Sequence, residues 1–132
     1  MRRSVELYQE AAHIGLSVAA SRLGLCFERG LGVTQNWSEA AKWYQVAAQH
    51  GDASAQNALA FCYYFGNGVA RNILEAYAWI QLATDQNEVK ADEVRALILN
   101  VMSPSEIKAA RELYQEYKQR YSVRPQLHAG HT

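Results

Sequence analysis

The sequence lacks an excess of charge of either sign, with Lys plus Arg and Asp plus Glu numbering 13 each in 132 residues. No overall field draws in nucleic acid or an anionic membrane, so neither is an expected partner. No apolar run approaches the roughly 18 residues that a bilayer crossing needs, and no membrane span is expected. Met1-Arg2-Arg3 leads into an amphipathic segment rather than an apolar signal core. The chain as it stands is therefore expected to be soluble and cytoplasmic; a natural form with a longer N-terminus would open a periplasmic or secreted location. Cysteine is scarce. Cys26 and Cys62 are too few for a disulfide framework and lack the clustered spacing of a zinc site, so free reduced thiols, no metal and no cofactor are expected. A chain of this length buries about two thirds of its unfolded surface and folds as one domain without such staples.

What the sequence does have is a repeat. Residues 19–52 and 55–88 agree at 12 of 34 positions with a spacing of 36, where unrelated segments would share about two. A period of this size marks units of two helices that cannot hide their apolar side alone and stack on their neighbours. The first helix of each unit carries a stripe at Ala19, Leu23, Cys26, Phe27 and Gly30, matched by Ala55, Leu59, Cys62, Tyr63 and Gly66. Steps of three and four trace one helical face. The second helix follows Ala40, Trp43, Tyr44, Ala47 and Ala48, then Ala76, Trp79, Ile80, Ala83 and Thr84. Small residues alternate with rings, as interdigitating helices require, and Gly24 inside a first helix fits the same close approach.

The second-helix pattern extends outward. Ser4, Leu7, Tyr8, Gln9, Ala11, Ala12 and Gly15 stand 36 residues before Ala40, Trp43, Tyr44, Gln45, Ala47, Ala48 and Gly51, and Ala110, Leu113, Tyr114 and Gln115 give a further copy. Seven helices are expected, at 3–14, 17–29, 37–50, 53–65, 73–86, 89–101 and 104–121. The domain then spans 1–121, as a partial unit 3–18, full units 19–54 and 55–90 and a terminal capping unit 91–121, with a flexible tail at 122–132.

"GLGVTQNWSEAAKWY" and "GNGVARNILEAYAWI" each look like half of a phosphate-binding loop. A dinucleotide loop, however, follows a strand and has a third glycine where Gln35 and Arg71 stand. The plain reading is punctuation. Gly30 and Gly66 end the first helix in a left-handed conformation, and Gly32 and Gly68 turn the chain. Asn36 and Asn72 cap the second helix, with Glu39 and Glu75 three residues later expected to complete capping boxes. Ser103-Pro104-Ser105-Glu106 repeats the device, with proline at the first helical position.

The pattern from Ala19 to Gly51, with its L-G-x-C-F-x-x-G-x-G-V turn, Asn36 cap, Glu39 and the A-x-x-W-Y-x-x-A-A run around Trp43, resembles the Sel-one-like repeat (SLR), a subclass of tetratricopeptide-like helical repeats. "YAWIQLA" followed by "MSPSEIKAARELYQEY" is similar to the terminal unit of bacterial members. The resemblance implies an all-α, right-handed α-α superhelix (solenoid) whose first helices line a concave face. It also implies a non-enzymatic adaptor or scaffold binding a protein or peptide. Two alternatives come with it: a penicillin-binding or β-lactamase-like hydrolase, as claimed for some cysteine-rich relatives, and an immunity or inhibitor protein against a secreted toxin.

Candidate sites follow from what the packing does not use. Ser105 and Lys108 match S-x-x-K, but no S-D-N or K-T-G companion exists, and Ser105 falls within a cap. Stacked helices stand about 8–10 Å apart, beyond the reach of a Cys26–Cys62 disulfide, so both cysteines are expected as buried free thiols. His50 and His13 sit where a helix C-terminus favours a cation; His128 and His131 lie in the tail. The first helix of one unit turns Arg22, Leu25, Glu28 and Arg29 away from its stripe; the next turns Ala58, Phe61, Tyr64 and Phe65. Those aromatics either cover a neighbouring helix or form a partner-binding groove with Arg22, Leu25 and Arg29. At the N-terminal end, helix 3–14 lacks a first-helix partner, leaving Val5, Leu7 and Ile14 bare. Either the chain is a piece of a longer repeat array or a homodimer forms through that uncapped helix.

Overall fold

The computed structural model describes residues 12–121, with the backbone alone for 12–15. Six helices and no strand are present among the described residues: α1 (Ala12–Arg29), α2 (Trp37–Gln49), α3 (Ala53–Phe65), α4 (Ile73–Asp85), α5 (Ala91–Asn100) and α6 (Pro104–Tyr121). α1 pairs with α2 and α3 with α4 as hairpins; α2 packs on α3 between them, and α4 is further covered by α5 and α6. The architecture is a helical solenoid. The expected helix 3–14 and the residues Val5 and Leu7, like His128, His131 and the tail, lie outside the described residues, as do the side chains of His13 and Ile14.

One boundary differs from expectation. No break separates 14 from 17, because α1 is already helical at Ala12. The equivalent break one unit on, at Gly51-Asp52, has a left-handed glycine and an aspartate whose side chain accepts from Ser54 N at 3.1 Å. Thirty-six residues earlier the cap position is Leu16, which carries no acceptor, so nothing stops the helix there.

The turns inside the hairpins form as their residues dictate. Gly30 and Gly66 adopt φ of +70° and +75°, and Gly66 N donates to Cys62 O at 2.8 Å. Asn36 Oδ1 accepts from Glu39 N at 3.1 Å, and Asn72 Oδ1 accepts from Leu74 N and Glu75 N at 3.1 Å each. The expected capping boxes at Glu39 and Glu75 do not close. The N–H of each cap residue donates instead across the hairpin, Asn36 to Phe27 O at 2.8 Å and Asn72 to Tyr63 O at 2.9 Å. Glu39 is left to pair with Lys42 at 3.3 Å on the surface. Glu75 turns inward and takes the Trp79 indole at 3.2 Å and the Tyr117 hydroxyl at 2.9 Å. A reciprocal box does form at α6, where Ser103 N donates to Glu106 Oε1 at 2.9 Å and Glu106 N to Ser103 Oγ at 3.2 Å.

The core centres on α4, whose Ala76, Tyr77, Ala78, Trp79, Ile80, Leu82 and Ala83 are all buried. Trp79 is 1% exposed and lies against Tyr117 and Tyr121 of α6, with ring centroids 5.1 and 5.5 Å away. Trp43, its counterpart, is only partly buried. The difference comes from α6, which brings tyrosines over Trp79.

The first-helix stripe is buried in α3 at Ala55, Leu59 and Cys62, but in α1 Leu23 is exposed and Ala19 and Cys26 are partly covered. α1 buries Ser17, Ala20 and Gly24 instead. Cys62 of α3 lies within electrostatic reach of Tyr44 and Glu28 of the preceding hairpin; no preceding hairpin is present among the described residues to cover the same face of α1. In α5 the buried face is Ala91, Val94 and Ile98, with Met102 buried just beyond the helix, whereas Leu97 and Val101 are exposed.

Stacking reaches the backbone. A Cβ on Gly68 would stand 2.2 Å from Trp37 O, so only glycine lets the second turn rest on the start of α2. Between the units, buried Gln56 donates to Ala48 O at 3.1 Å and accepts from Gln86 Nε2 at 3.1 Å, while Gln86 also reaches Gly51 O at 2.8 Å. These side chains satisfy polar groups where helix ends meet inside the stack.

Gly24 is matched to Tyr44, whose ring would lie 2.6 Å from a Cβ at position 24. Thirty-six residues on, the pair becomes Ala60 and Ile80, both fully buried, so volume passes from one helix to the other. Gly24→Ala is expected to destabilise the chain by about 1–3 kcal/mol through overpacking, despite its gain in helix propensity. Adding Tyr44→Ile should recover most of the loss in urea unfolding. Equal stability of the single and double variants would contradict the pairing.

α6 is bolted to α4 by phenol–carboxylate bonds, Tyr117 to Glu75 and Tyr114 to Asp85. Burial, and then the hydrogen bond to the carboxylate, raises the pKa of both phenols. The unfolded chain releases these protons near about pH 10 while the folded chain retains them. Stability is therefore intact below that pH and falls as pH rises above it. Urea midpoints measured from pH 8 to 11 should drop steeply at the top of the range, and less steeply in Tyr114→Phe/Tyr117→Phe.

Candidate functional site: a groove across the first helices

The faces of α1 and α3 that do not pack on second helices meet in a groove of about 560 Å³. α1 contributes Ser21, Leu25, Glu28 and Arg29; α3 contributes Ser54, Asn57, Ala58, Phe61 and Phe65; Trp37 and Tyr44 of α2 close one side and Lys90 stands at the mouth of α5. The repeat makes this alignment. Ser21 and Asn57, Leu25 and Phe61, and Arg29 and Phe65 are each 36 residues apart, so one position on successive first helices opens onto one channel.

Among the residues expected to bind a partner, Leu25, Arg29, Ala58, Phe61 and Phe65 line the groove; Arg22 and Tyr64 do not. Arg22 is exposed elsewhere on α1. Tyr64 lies under the Arg71 guanidinium, 5.5 Å from the ring centroid, and edge-on to Phe65. Arg71 is held there by its Nε, which donates to Tyr64 O at 2.8 Å; Gln35 makes the equivalent bond to Glu28 O at 2.7 Å. Phe61 and Phe65 are stacked on each other, with centroids 5.8 Å apart and planes 7° from parallel. They are 37% and 58% exposed, so among the described residues no neighbouring helix covers them.

Sequence reasoning missed Ser54, Asn57, Trp37 and Lys90. Ser54, Asn57, Ala58, Phe61 and Phe65 advance in steps of three and four, and that periodicity could have identified them. Asn57 is distinctive: its Oδ1 is buried without a hydrogen-bond partner, the only such side-chain atom among the described residues. Glu28 also lines the groove, but its carboxylate accepts from the Tyr44 hydroxyl. Burial, reinforced by that bond, raises the Tyr44 pKa.

The other candidates are placed as follows. Ser105 is exposed within the α6 cap, its hydroxyl 3.2 Å from Ser103 Oγ. His50 ends α2, its Nδ1 2.8 Å from Val46 O. Among the described residues no group of His, Cys, Asp and Glu could hold a metal ion, and no helix is long and apolar enough to cross a membrane. Both cysteines are free, but Cys26 is only partly buried, contrary to expectation, because the face it occupies on α1 is open.

Stacked helical hairpins with a groove along their first helices define a repeat protein of the tetratricopeptide-like class. Sequence comparison narrows this further. The model of the Sel1 repeat matches residues 17–52 and 53–88, and the chain belongs to the Sel1 repeat family. Two solved structures are similar. One is c5321, a protective antigen of uropathogenic Escherichia coli displaying an SLR fold, with 31% identity and a TM-score of 0.78 over 89% of this chain and 26% of that one. The other is a Sel1 repeat protein from Oxalobacter formigenes, with 27% identity and a TM-score of 0.63 over 88% of this chain and 54% of that one. The chain thus spans about a quarter of the first protein and about half of the second. No curated protein matches this chain in sequence. Sel1 repeats are generally non-catalytic modules of protein interaction.

Burial pushes the Cys62 thiol up to about 12, so it carries almost no thiolate at neutral pH. Iodoacetamide at pH 8 should modify Cys26 first and Cys62 only on unfolding, and mass spectrometry should find no Cys26–Cys62 bridge. Equal labelling of the two would contradict the burial.

Proposed function

We propose that this chain is a non-enzymatic interaction module that holds a protein or peptide partner in the groove across α1 and α3, on the concave face of the solenoid. The observation that carries this is the stacked, uncovered Phe61–Phe65 pair, set in a channel and backed by a buried oxygen in need of a donor. Exposed aromatics in a groove are poor surface residues and good anchors, since partner burial removes their apolar area from water. The family's general role in protein interaction supports the same reading. The hydrolase alternative gains nothing from the geometry, because Ser105 serves the α6 cap on the open surface. Arg22 and Tyr64 contribute at most from the groove's edge, while Leu25, Arg29, Ala58, Phe61 and Phe65 touch the partner directly.

Affinity purification with the wild-type chain and with Phe61→Ala/Phe65→Ala is the test. The double variant should lose the captured partner. Its thermal midpoint should shift little, since exposed side chains of this kind change stability by about 0.5 kcal/mol or less. Intact capture in the double variant would rule out the groove.

A further inference from the structure

The apolar flank of α1 has no cover among the described residues, and the repeat shows what cover such a flank takes. In α3 the stripe Ala55, Leu59 and Cys62 is at most 1% exposed, because α2 packs along that helix. The same positions in α1 are half-covered Ala19, Leu23 at 38% exposure and half-covered Cys26. α2 meets α3 through its buried residues: Gln56 Nε2 donates to Ala48 O at 3.1 Å, and Cys62 lies within electrostatic reach of Tyr44. Val5, Tyr8 and Ala12 stand 36 residues before Ala41, Tyr44 and Ala48, all three of which are buried. Residues 1–13 thus carry, in sequence, the helix face that the α1 stripe lacks.

What the repeat does not reproduce is the turn. α2 returns onto α3 through Gly51, at φ +93°, and Asp52, whose side chain accepts from Ser54 N at 3.1 Å. The equivalent residues are Gly15 and Leu16; leucine offers no acceptor, and α1 runs helical through both from Ala12. A straight helix cannot lay its own N-terminal part along its C-terminal part. A second copy can supply it. Two such helices set antiparallel bring residues 1–13 of each over 16–29 of the other, about a two-fold axis near Gly15-Leu16, so that every contact occurs twice. Moving the Gln56–Ala48 contact back by 36 residues sets Ala12 beside Ala20 and Val5 close to Cys26. Glycine at the axis lets the two backbones approach. The far end of the stack offers no rival surface: past Pro104 the exposed residues of α6 are all polar, Lys108, Arg111, Glu112 and Gln115 among them. The pairing therefore closes on itself instead of running on head to tail.

We propose that the chain forms a two-fold dimer in which residues 1–13 of one copy cover the Ala19, Leu23 and Cys26 stripe of the other, a helix exchange in place of the return made at Gly51-Asp52.

Light scattering on the full chain should give the mass of two copies, and of one copy in Leu23→Glu, which alters a residue already exposed in the single chain. Val5→Cys treated with a short bis-maleimide should be joined to the native Cys26 of the other copy, giving a two-chain band on a denaturing gel. Wild type should give none, because the two Cys26 residues stand about 30 Å apart along the paired helices. Cys62 is buried and does not compete, whereas Cys26 is reached each time the dimer dissociates. Adding Leu16→Asp, which with Gly15 rebuilds a capped turn, should move the link inside one chain and halve the mass. A single-copy mass for wild type, with or without a link inside one chain in Val5→Cys, would overturn the second copy as occupant. A dimer that survives Leu23→Glu, or that gives no two-chain product with Val5→Cys, would place the interface elsewhere and overturn the proposal equally. A two-chain product unchanged by Leu16→Asp would overturn the part played by the missing cap.

Discussion

A two-helix hairpin has more apolar surface than its own two helices can cover, and the structure follows from that shortage. α4 shows the requirement met. It is sheathed by its hairpin partner α3, by α5 and by α6, and its alanines let those helices approach while Trp79 and Ile80 fill the wider gaps. α1 shows the requirement partly met, with one flank buried on α2 and the other carrying exposed Leu23 and half-covered Cys26. Stability and exposure along the chain therefore depend less on local sequence than on whether a neighbour is present.

The groove is a by-product of the same arrangement. Because second helices do most of the inter-unit packing, the outer faces of the first helices are released from structural duty and aligned by the 36-residue period. Ser21, Leu25 and Arg29 in one unit and Asn57, Phe61 and Phe65 in the next occupy equivalent places with different chemistry. A scaffold that fixes position while leaving side-chain identity free is suited to recognition, and family membership alone does not name what is recognised.

Much of the fold was legible in the sequence because glycine, asparagine and the Ala/Trp alternation act locally. Gly30, Gly66, Asn36, Asn72 and Ser103 each do what their type and position suggest. The errors arose where a distant group competes. Asn36 N and Asn72 N find a carbonyl across the hairpin before a glutamate can reach them, and Trp43 differs from Trp79 because α6 covers only the latter. Five of the groove's residues could be read from the face opposite the stripe. Asn57 shares that face, but nothing local marks its oxygen as unpaired; Lys90 could not be read, since a helical wheel shows which way a side chain leaves its own helix but not which other helix it meets.

The Gly24–Tyr44 and Ala60–Ile80 pairs bear on how such arrays diversify. Tandem copies born identical can exchange segments by recombination, but once bulk has moved from one helix to the other, a crossover between the two positions joins Gly24 to isoleucine, leaving a hole, or Ala60 to tyrosine, forcing a clash. Each compensated pair thus acts as a barrier to homogenisation. It lets adjacent repeats drift apart and acquire separate surfaces while their backbones stay superimposable.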